Sequence, residues 1–164
     1  MNSVAPVSPG TQQVAEGHSI LVIGVGLEAR WDAPMFSVQL DEYDLAEQKT
    51  AGNCWHDNRA TATVPSEPGA VRYVAFDVPA GHYAFSGFGG GRGLEGGAQA
   101  FAAPSGQVVY AGDFIYAPSG YVVLRRNLEA AQASLASTSP ALAKRVSLAT
   151  GVAIKTPAAI LCTP

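Results

Sequence analysis

Charge is scarce in this chain. Ten basic and thirteen acidic residues among 164 make up 14% of the sequence, with a net charge of −3. A typical domain carries about 25% charged residues. The basic residues are scattered, and only Arg125-Arg126 and Lys144-Arg145 are adjacent. That leaves no stripe to track a phosphate backbone, so nucleic acid is not expected as a partner. Cysteine is scarcer still. Cys54 and Cys162 form no Cys-x-x-Cys pair, which argues against a zinc knuckle or a thioredoxin-type site. No apolar run approaches the ~18–20 residues of a membrane-spanning helix. The opening Met1–Gly10 has neither the basic stretch nor the apolar segment of a signal peptide. His18, His56 and His82 lie far apart without ligand spacing, so no metal site is expected from them. No cofactor is expected either.

Glycine and proline, by contrast, are plentiful at 18 and 11 residues. Low charge with this much Gly and Pro suits a turn-rich β protein, and it also suits extracytoplasmic domains. The length allows one domain with a true core. Residues 1–17, with Pro6, Pro9 and Gly10 among small neighbours, read as a flexible leader. Residues 18–164 then form a single domain. Ser19–Gly26 is a strongly apolar run and the first strand. Pro34–Leu40 is the second, with Phe36, Val38 and Leu40 on one face. Asp41–Glu47 reads as an acidic loop, Gln48–Ala60 as irregular and Thr61–Val64 as a short strand. The stretch Tyr73–Tyr116 reads as two β-hairpins. Tyr73–Val78 and His82–Gly87 meet across Pro79-Ala-Gly81, and Ala98–Ala103 and Gln107–Ala111 across Pro104-Ser-Gly106. Gly120–Arg125 is another strand. Helical signals are confined to 127–147. Asn127 is an N-cap ahead of Leu128, Ala131 and Leu135 on one face. Ser139-Pro140 starts a second helix, with Lys144 and Arg145 in its last turn. Val152–Lys155 and Ala158–Cys162 are expected to return to the sheet. The predicted fold is mainly β: an antiparallel β-sandwich with one or two C-terminal α-helices.

Several motifs suggest chemistry on paper. Ile23-Gly-Val-Gly-Leu-Glu-Ala29 matches a dinucleotide fingerprint, but that chemistry needs a helix facing the pyrophosphate, and Pro34 would break one early. A strand leading into a Gly-rich bend fits better. Phe88–Gly97 is the most glycine-dense segment and lacks the Gly-Lys-Ser/Thr ending of a phosphate loop. It reads either as a backbone nest in which Arg92 holds an anion or carboxylate, or as a long mobile connection. Cys54-Trp-His-Asp57 places a thiol beside a base, yet adjacent residues rarely point at one another in an extended loop. Asp41, Glu42, Asp44 and Glu47 lack EF-hand spacing and read as a solvated loop. Gly112-Asp113-Phe114 follows a strand and reads as a bulge or turn in which Asp113 serves structure before catalysis. The aromatics of the central strands read as core and cross-strand partners. Trp31 and Trp55 fall in loop-like segments and are candidates for a contact surface.

The two cysteines sit in a polar loop and near the chain end, the placement of a disulfide that staples the tail. Two buried free thiols would give the same count. A Cys54–Cys162 bridge would make Cys54 unavailable as a nucleophile.

Val78-Pro-Ala-Gly-His-Tyr83, Gly106-Gln-Val-Val-Tyr-Ala-Gly-Asp-Phe114 and the Ala/Leu helix of 127–146 together resemble a family of uncharacterised bacterial lipoproteins and secreted proteins. Its members carry a Pro-x-Gly-x-Tyr turn and a Gly-Lys-x-x-Tyr-x-Gly-Asp/Asn strand. Here Gln107 stands where Lys is frequent. The resemblance covers under half of the chain and leaves out the Gly-rich insert and the Cys54 loop. It implies a prealbumin-like or carboxypeptidase-regulatory-like β-sandwich and a place in the bacterial envelope, periplasmic or attached to the outer membrane. It carries no catalytic residues. The leader is what commonly follows a lipidated cysteine, so the membrane contact expected is an N-terminal lipid anchor outside these residues; an ordinary frayed terminus reads the same.

The function expected is that of a non-enzymatic envelope domain, a binding or structural module for another envelope protein or an unknown ligand. Arg92, Trp55, Trp31 and Asp113 are its candidate contact residues. A small periplasmic hydrolase using Asp113 or His82, or a toxin-neutralising partner protein, are the alternatives. The hydrolase requires a concave pocket with convergent polar groups at those residues.

Overall fold

The computed structural model describes residues 4–30, 37–53, 55–87 and 91–158. Strands dominate it: β1 (His18–Leu27), β2 (Ser37–Asp44), β3 (Lys49–Thr50), β4 (Arg59–Thr63), β5 (Val71–Pro79), β6 (Gly81–Ser86), β7 (Gln99–Ala103), β8 (Val108–Tyr116) and β9 (Val122–Arg125). Two helices follow, α1 (Leu128–Thr138) and α2 (Pro140–Ala143), then β10 (Val146–Leu148) and β11 (Gly151–Ala153). The strands form two sheets that pack face to face as a β-sandwich. The first runs β5–β1–β8, with β10 and β9 sharing the far side of β8. The second runs β11–β7–β6–β2, with β4 and β3 sharing the far side of β2.

The two expected hairpins are not hairpins. β5 pairs with β1 in the first sheet and β6 pairs with β2 and β7 in the second, so Pro79-Ala80-Gly81 carries the chain across the sandwich. β7 and β8 likewise lie in different sheets, with Pro104-Ser-Gly106 as the crossing. The strands that pair locally are β6 and β7, across the Gly-rich segment. A Pro-x-Gly turn reverses the chain without specifying its partner, and the partner follows from which faces must be covered.

β1 and β8 are buried on both faces and pair in parallel. Their inner side chains, among them Leu21, Ile23, Val25, Phe114 and Tyr116, fill the space between the sheets. Phe114 is stacked on Phe85 at 5.9 Å and meets Phe101 edge-on at 5.8 Å. Their outer side chains Ile20, Val22, Val108 and Tyr110 lie under α1 and α2 with Ala131, Leu135 and Leu142. The near-continuous apolar runs of β1 and β8 are what a strand covered on both sides requires. Gly24 and Gly26 accordingly sit inside β1 rather than in a bend after it. Asn127 caps α1 as expected, its Oδ1 accepting from the Ala130 N–H at 3.1 Å.

The leader is docked from residue 4 onward rather than free. The N–H groups of Val4, Val7 and Gly10 donate to the carbonyls of Arg59 (2.9 Å), Ala75 (2.8 Å) and Thr138 (2.8 Å). Val7 and Val14 add to the apolar cluster beneath the helices.

Candidate functional site

Among the described residues, two polar constellations and a cleft beside the Gly-rich segment are the places where chemistry could reside. The first constellation is on the helix-covered face of the first sheet. A bulge in β8 falls where Ile23 pairs with Gly112 after Val22 has paired with Tyr110. Gly112 takes φ of 138°, and a Cβ there would meet Leu124 Cδ1 at 2.6 Å, so the position needs glycine. The extra residue reverses the alternation and puts Asp113 on the same face as Tyr110. One cross-strand row then reads Tyr73, Gly24, Asp113, Arg125. The Asp113 carboxylate crosses over Gly24, where a Cβ would come within 2.0 Å of its Oδ1. Tyr110 donates to Oδ1 at 2.5 Å and Tyr73 to Oδ2 at 3.2 Å. The Tyr110 hydroxyl in turn accepts from the Asn127 N–H at 3.1 Å, which ties the start of α1 to the sheet.

Burial pushes the Asp113 pKa up, and the Tyr110 and Tyr73 hydroxyls and nearby Arg125 only partly oppose it. Burial and the Asp113 charge push Tyr73 up to about 12. At pH below the ordinary carboxylate value, Asp113 is protonated in both folded and unfolded chains. As pH rises past that value the unfolded chain ionises first, so the folded state loses stability until its own raised pKa is passed. Asp113→Asn, which keeps an acceptor and a donor for the two tyrosines, has no such slope. The difference in stability between variant and parent is therefore expected to move in favour of Asn as pH rises from about 4, by at most about 1.4 kcal/mol per pH unit. Urea unfolding between pH 3 and 7 measures it; a shift in favour of Asp would reverse the sign assigned to burial.

The second constellation is on the outer face of the second sheet, where sequence reading placed a solvated acidic loop. β2 extends through Asp41 and Glu42 to Asp44. Asp41 is 4% exposed and pairs with Arg59, whose Nε lies 2.7 Å from its Oδ1. Arg59 Nη2 also reaches Asp57 Oδ2 at 3.3 Å. Gln39 donates to Asp41 Oδ2 at 3.1 Å and to Ser86 Oγ at 3.4 Å. The signal that could have revealed this network is the Gln39-x-Asp41 alternation beside the inward Val38 and Leu40. No group of three or more His, Cys, Asp or Glu among the described residues could hold a metal ion.

The cleft lies where β6 leaves the second sheet. About 390 Å³ is enclosed by Phe85, Gly87, Leu94, Ala98 and Arg92 with its glycine neighbours, and by Thr156 and Pro157 of the C-terminal tail. Residues 91–97 are laced to the first sheet rather than mobile. The Arg92 N–H donates to the Gly120 carbonyl at 2.7 Å, the Val122 N–H to Gly93 at 2.9 Å and the Glu95 N–H to Val122 at 2.9 Å. Leu94 is buried in the main core.

Of the expected contact residues, only Arg92 lines the cleft. Trp55 is 80% exposed at the tip of a turn in which the Asn53 side chain accepts from the Trp55 and His56 N–H groups. Asp113 is buried with both oxygens engaged, so it is not a surface contact. His82 lies on β6 in the other sheet, and neither it nor Asp113 lines the cleft. Trp31, Cys54 and Cys162 lie outside the described residues. The two short motifs are structural devices. The Tyr83 hydroxyl donates to the Pro79 carbonyl at 2.8 Å across the sheet-crossing corner, and Tyr110, Gly112 and Asp113 form the bulge cluster. Comparison with protein-family models, curated proteins and solved structures found no match.

Proposed function

We propose that this chain is a non-catalytic domain of the bacterial envelope, the soluble part of a lipoprotein, that binds a ligand or another envelope protein at the end of the sandwich formed by the Gly-rich segment. The observation that carries this reading is the cleft. It is a preformed concavity with one cation at its rim, set apart from the buried Asp113 and Asp41 networks. The exposed Trp55 adds a second contact point.

The C-terminal tail runs along the second sheet. Tyr43 donates to the Lys155 carbonyl at 3.1 Å, and Thr50 to the Ala158 carbonyl at 3.4 Å. Thr50 and Ala158 each precede a cysteine by four positions in the sequence. A Cys54–Cys162 disulfide belongs to this proposal.

Cell fractionation of the native host with intact-mass measurement, with and without reductant, tests it. The expected result is a lipid-sized adduct on a processed N-terminus, membrane recovery, and a two-hydrogen deficit that reductant restores. An unmodified chain with two free thiols in the cytosol overturns it.

A further inference from the structure

We infer that the cleft takes a monoanionic carboxylate carrying an apolar body, with the Arg92 guanidinium as its charge partner. The inference rests on reading this end of the sandwich as a binding surface. Its volume, about 390 Å³, is within the range of small-molecule sites. Arg92 is the one charged side chain among the described lining residues, and those residues include no carboxylate. Among the described residues, Arg92 enters no ion pair. A guanidinium has five donors and no acceptor, and its planar fork matches a carboxylate.

The remaining lining narrows the ligand further. Phe85, Leu94, Ala98 and Pro157 offer apolar surface, and Thr156 a single hydroxyl. One cation balances one negative charge. A phosphate dianion would bring a second, uncompensated charge against these walls. Arg92 is exposed and its guanidinium hydrated, so a carboxylate replaces water as its acceptor, whereas a neutral apolar molecule draws nothing from it. The root of Arg92 is also held in place. Its N–H is bonded to Gly120, and its Cγ and Cδ lie 3.5 Å from the position a Gly120 Cβ would occupy. A side chain at Gly120, where φ is 85°, would be both strained and against the arginine stem. The backbone of Arg92 is thus fixed at the cleft, while its guanidinium is open to solvent and to a ligand.

Two sources supply such a ligand, a small free acid or the C-terminus of a polypeptide. The test is amide-resolved NMR titration of the ¹⁵N-labelled protein with hexanoate, hexanamide, and N-acetyl-Leu-Ala with a free or an amidated C-terminus. The expected result is that the carboxylates shift the amides of Gly93, Leu94, Ala98 and Thr156. Arg92→Ala, folded by its unchanged spectrum elsewhere, weakens them about tenfold or more, the loss of a charge-assisted pair. Arg92→Lys retains part of the affinity. Preference for hexanoate or for the free peptide end tells the two sources apart, and both support the inference. Equal binding of hexanoate and hexanamide, or carboxylate affinity unchanged in Arg92→Ala, overturns it while leaving a neutral-ligand cleft standing. No shift at the cleft with any probe removes the inference and the cleft-binding reading together, leaving the envelope assignment to the fractionation result.

Discussion

Arg59→Ala should lower the unfolding free energy by about 3 kcal/mol. The pairs it breaks are enclosed: the Arg59 side chain is 18% exposed, and those of Asp41 and Asp57 are each 6% exposed. Removing the cation leaves two carboxylates facing one another's field with little water to screen them. Breaking a buried pair from one side costs about 3–5 kcal/mol, and the partial exposure of Arg59 places this case at the low end. The damage should be reversible in part. Adding Asp41→Asn removes one of the stranded charges and keeps an acceptor for Gln39, so the double variant should be more stable than Arg59→Ala alone. Urea unfolding of the parent, both single variants and the double closes the cycle. A loss below about 1 kcal/mol for Arg59→Ala would show that the network behaves as an exposed ion pair.

Cys162→Ser should cost more, if the proposed bridge forms. A Cys54–Cys162 disulfide closes a loop of roughly 100 residues, for which the chain-entropy model assigns up to about 4–5 kcal/mol. The gain arises in the unfolded chain, which loses the freedom to separate its ends. Cys54→Ser should produce the same loss, and the double variant no more than either. Thermal unfolding with and without reductant is the check: reductant should lower the midpoint of the parent to that of the serine variants and leave theirs unmoved. A parent insensitive to reductant, with two thiols by titration, would remove the disulfide from the proposal.

Much of the local structure was legible. The Asn127 cap, the Leu128–Leu135 face and the Ser139-Pro140 restart are signals read over one helical turn, and both helices start there, but α2 ends at Ala143, short of the Lys144 and Arg145 expected in its last turn, and the Ser139 side chain makes no capping bond. The strands of the central stretch were legible from their alternation, and a turn-rich β fold from glycine, proline and low charge. The leader was not. Its prolines and small residues carry no periodicity, and what fixes Val4, Val7 and Gly10 is the offer of carbonyls from Arg59, Ala75 and Thr138. The same holds for Arg92. Its presence in a Gly-rich segment was plain, but the latch to Gly120 and Val122 comes from a strand that lies close only in space.

Asp113 marks the boundary most sharply. The Gly-Asp pair read as a bulge or turn after a strand in which Asp113 bonds backbone N–H groups; the bulge lies within β8, which continues to Tyr116, and Asp113 accepts from two tyrosine hydroxyls. That the carboxylate turns outward, over Gly24 and between Tyr73 and Tyr110, depends on three strands brought into register from distant parts of the chain. The sequence by itself determined most of the segments that extend, those that coil and where turns fall, because these follow from side-chain periodicity and backbone sterics within a few residues. Only the tertiary structure decided that Pro79-Ala-Gly81 and Pro104-Ser-Gly106 cross between sheets, that β1 and β8 run parallel, and that Arg92 meets Phe85 and Pro157 at one cleft. Those outcomes depend on the competition among distant faces for burial, and no local signal encodes which partner wins.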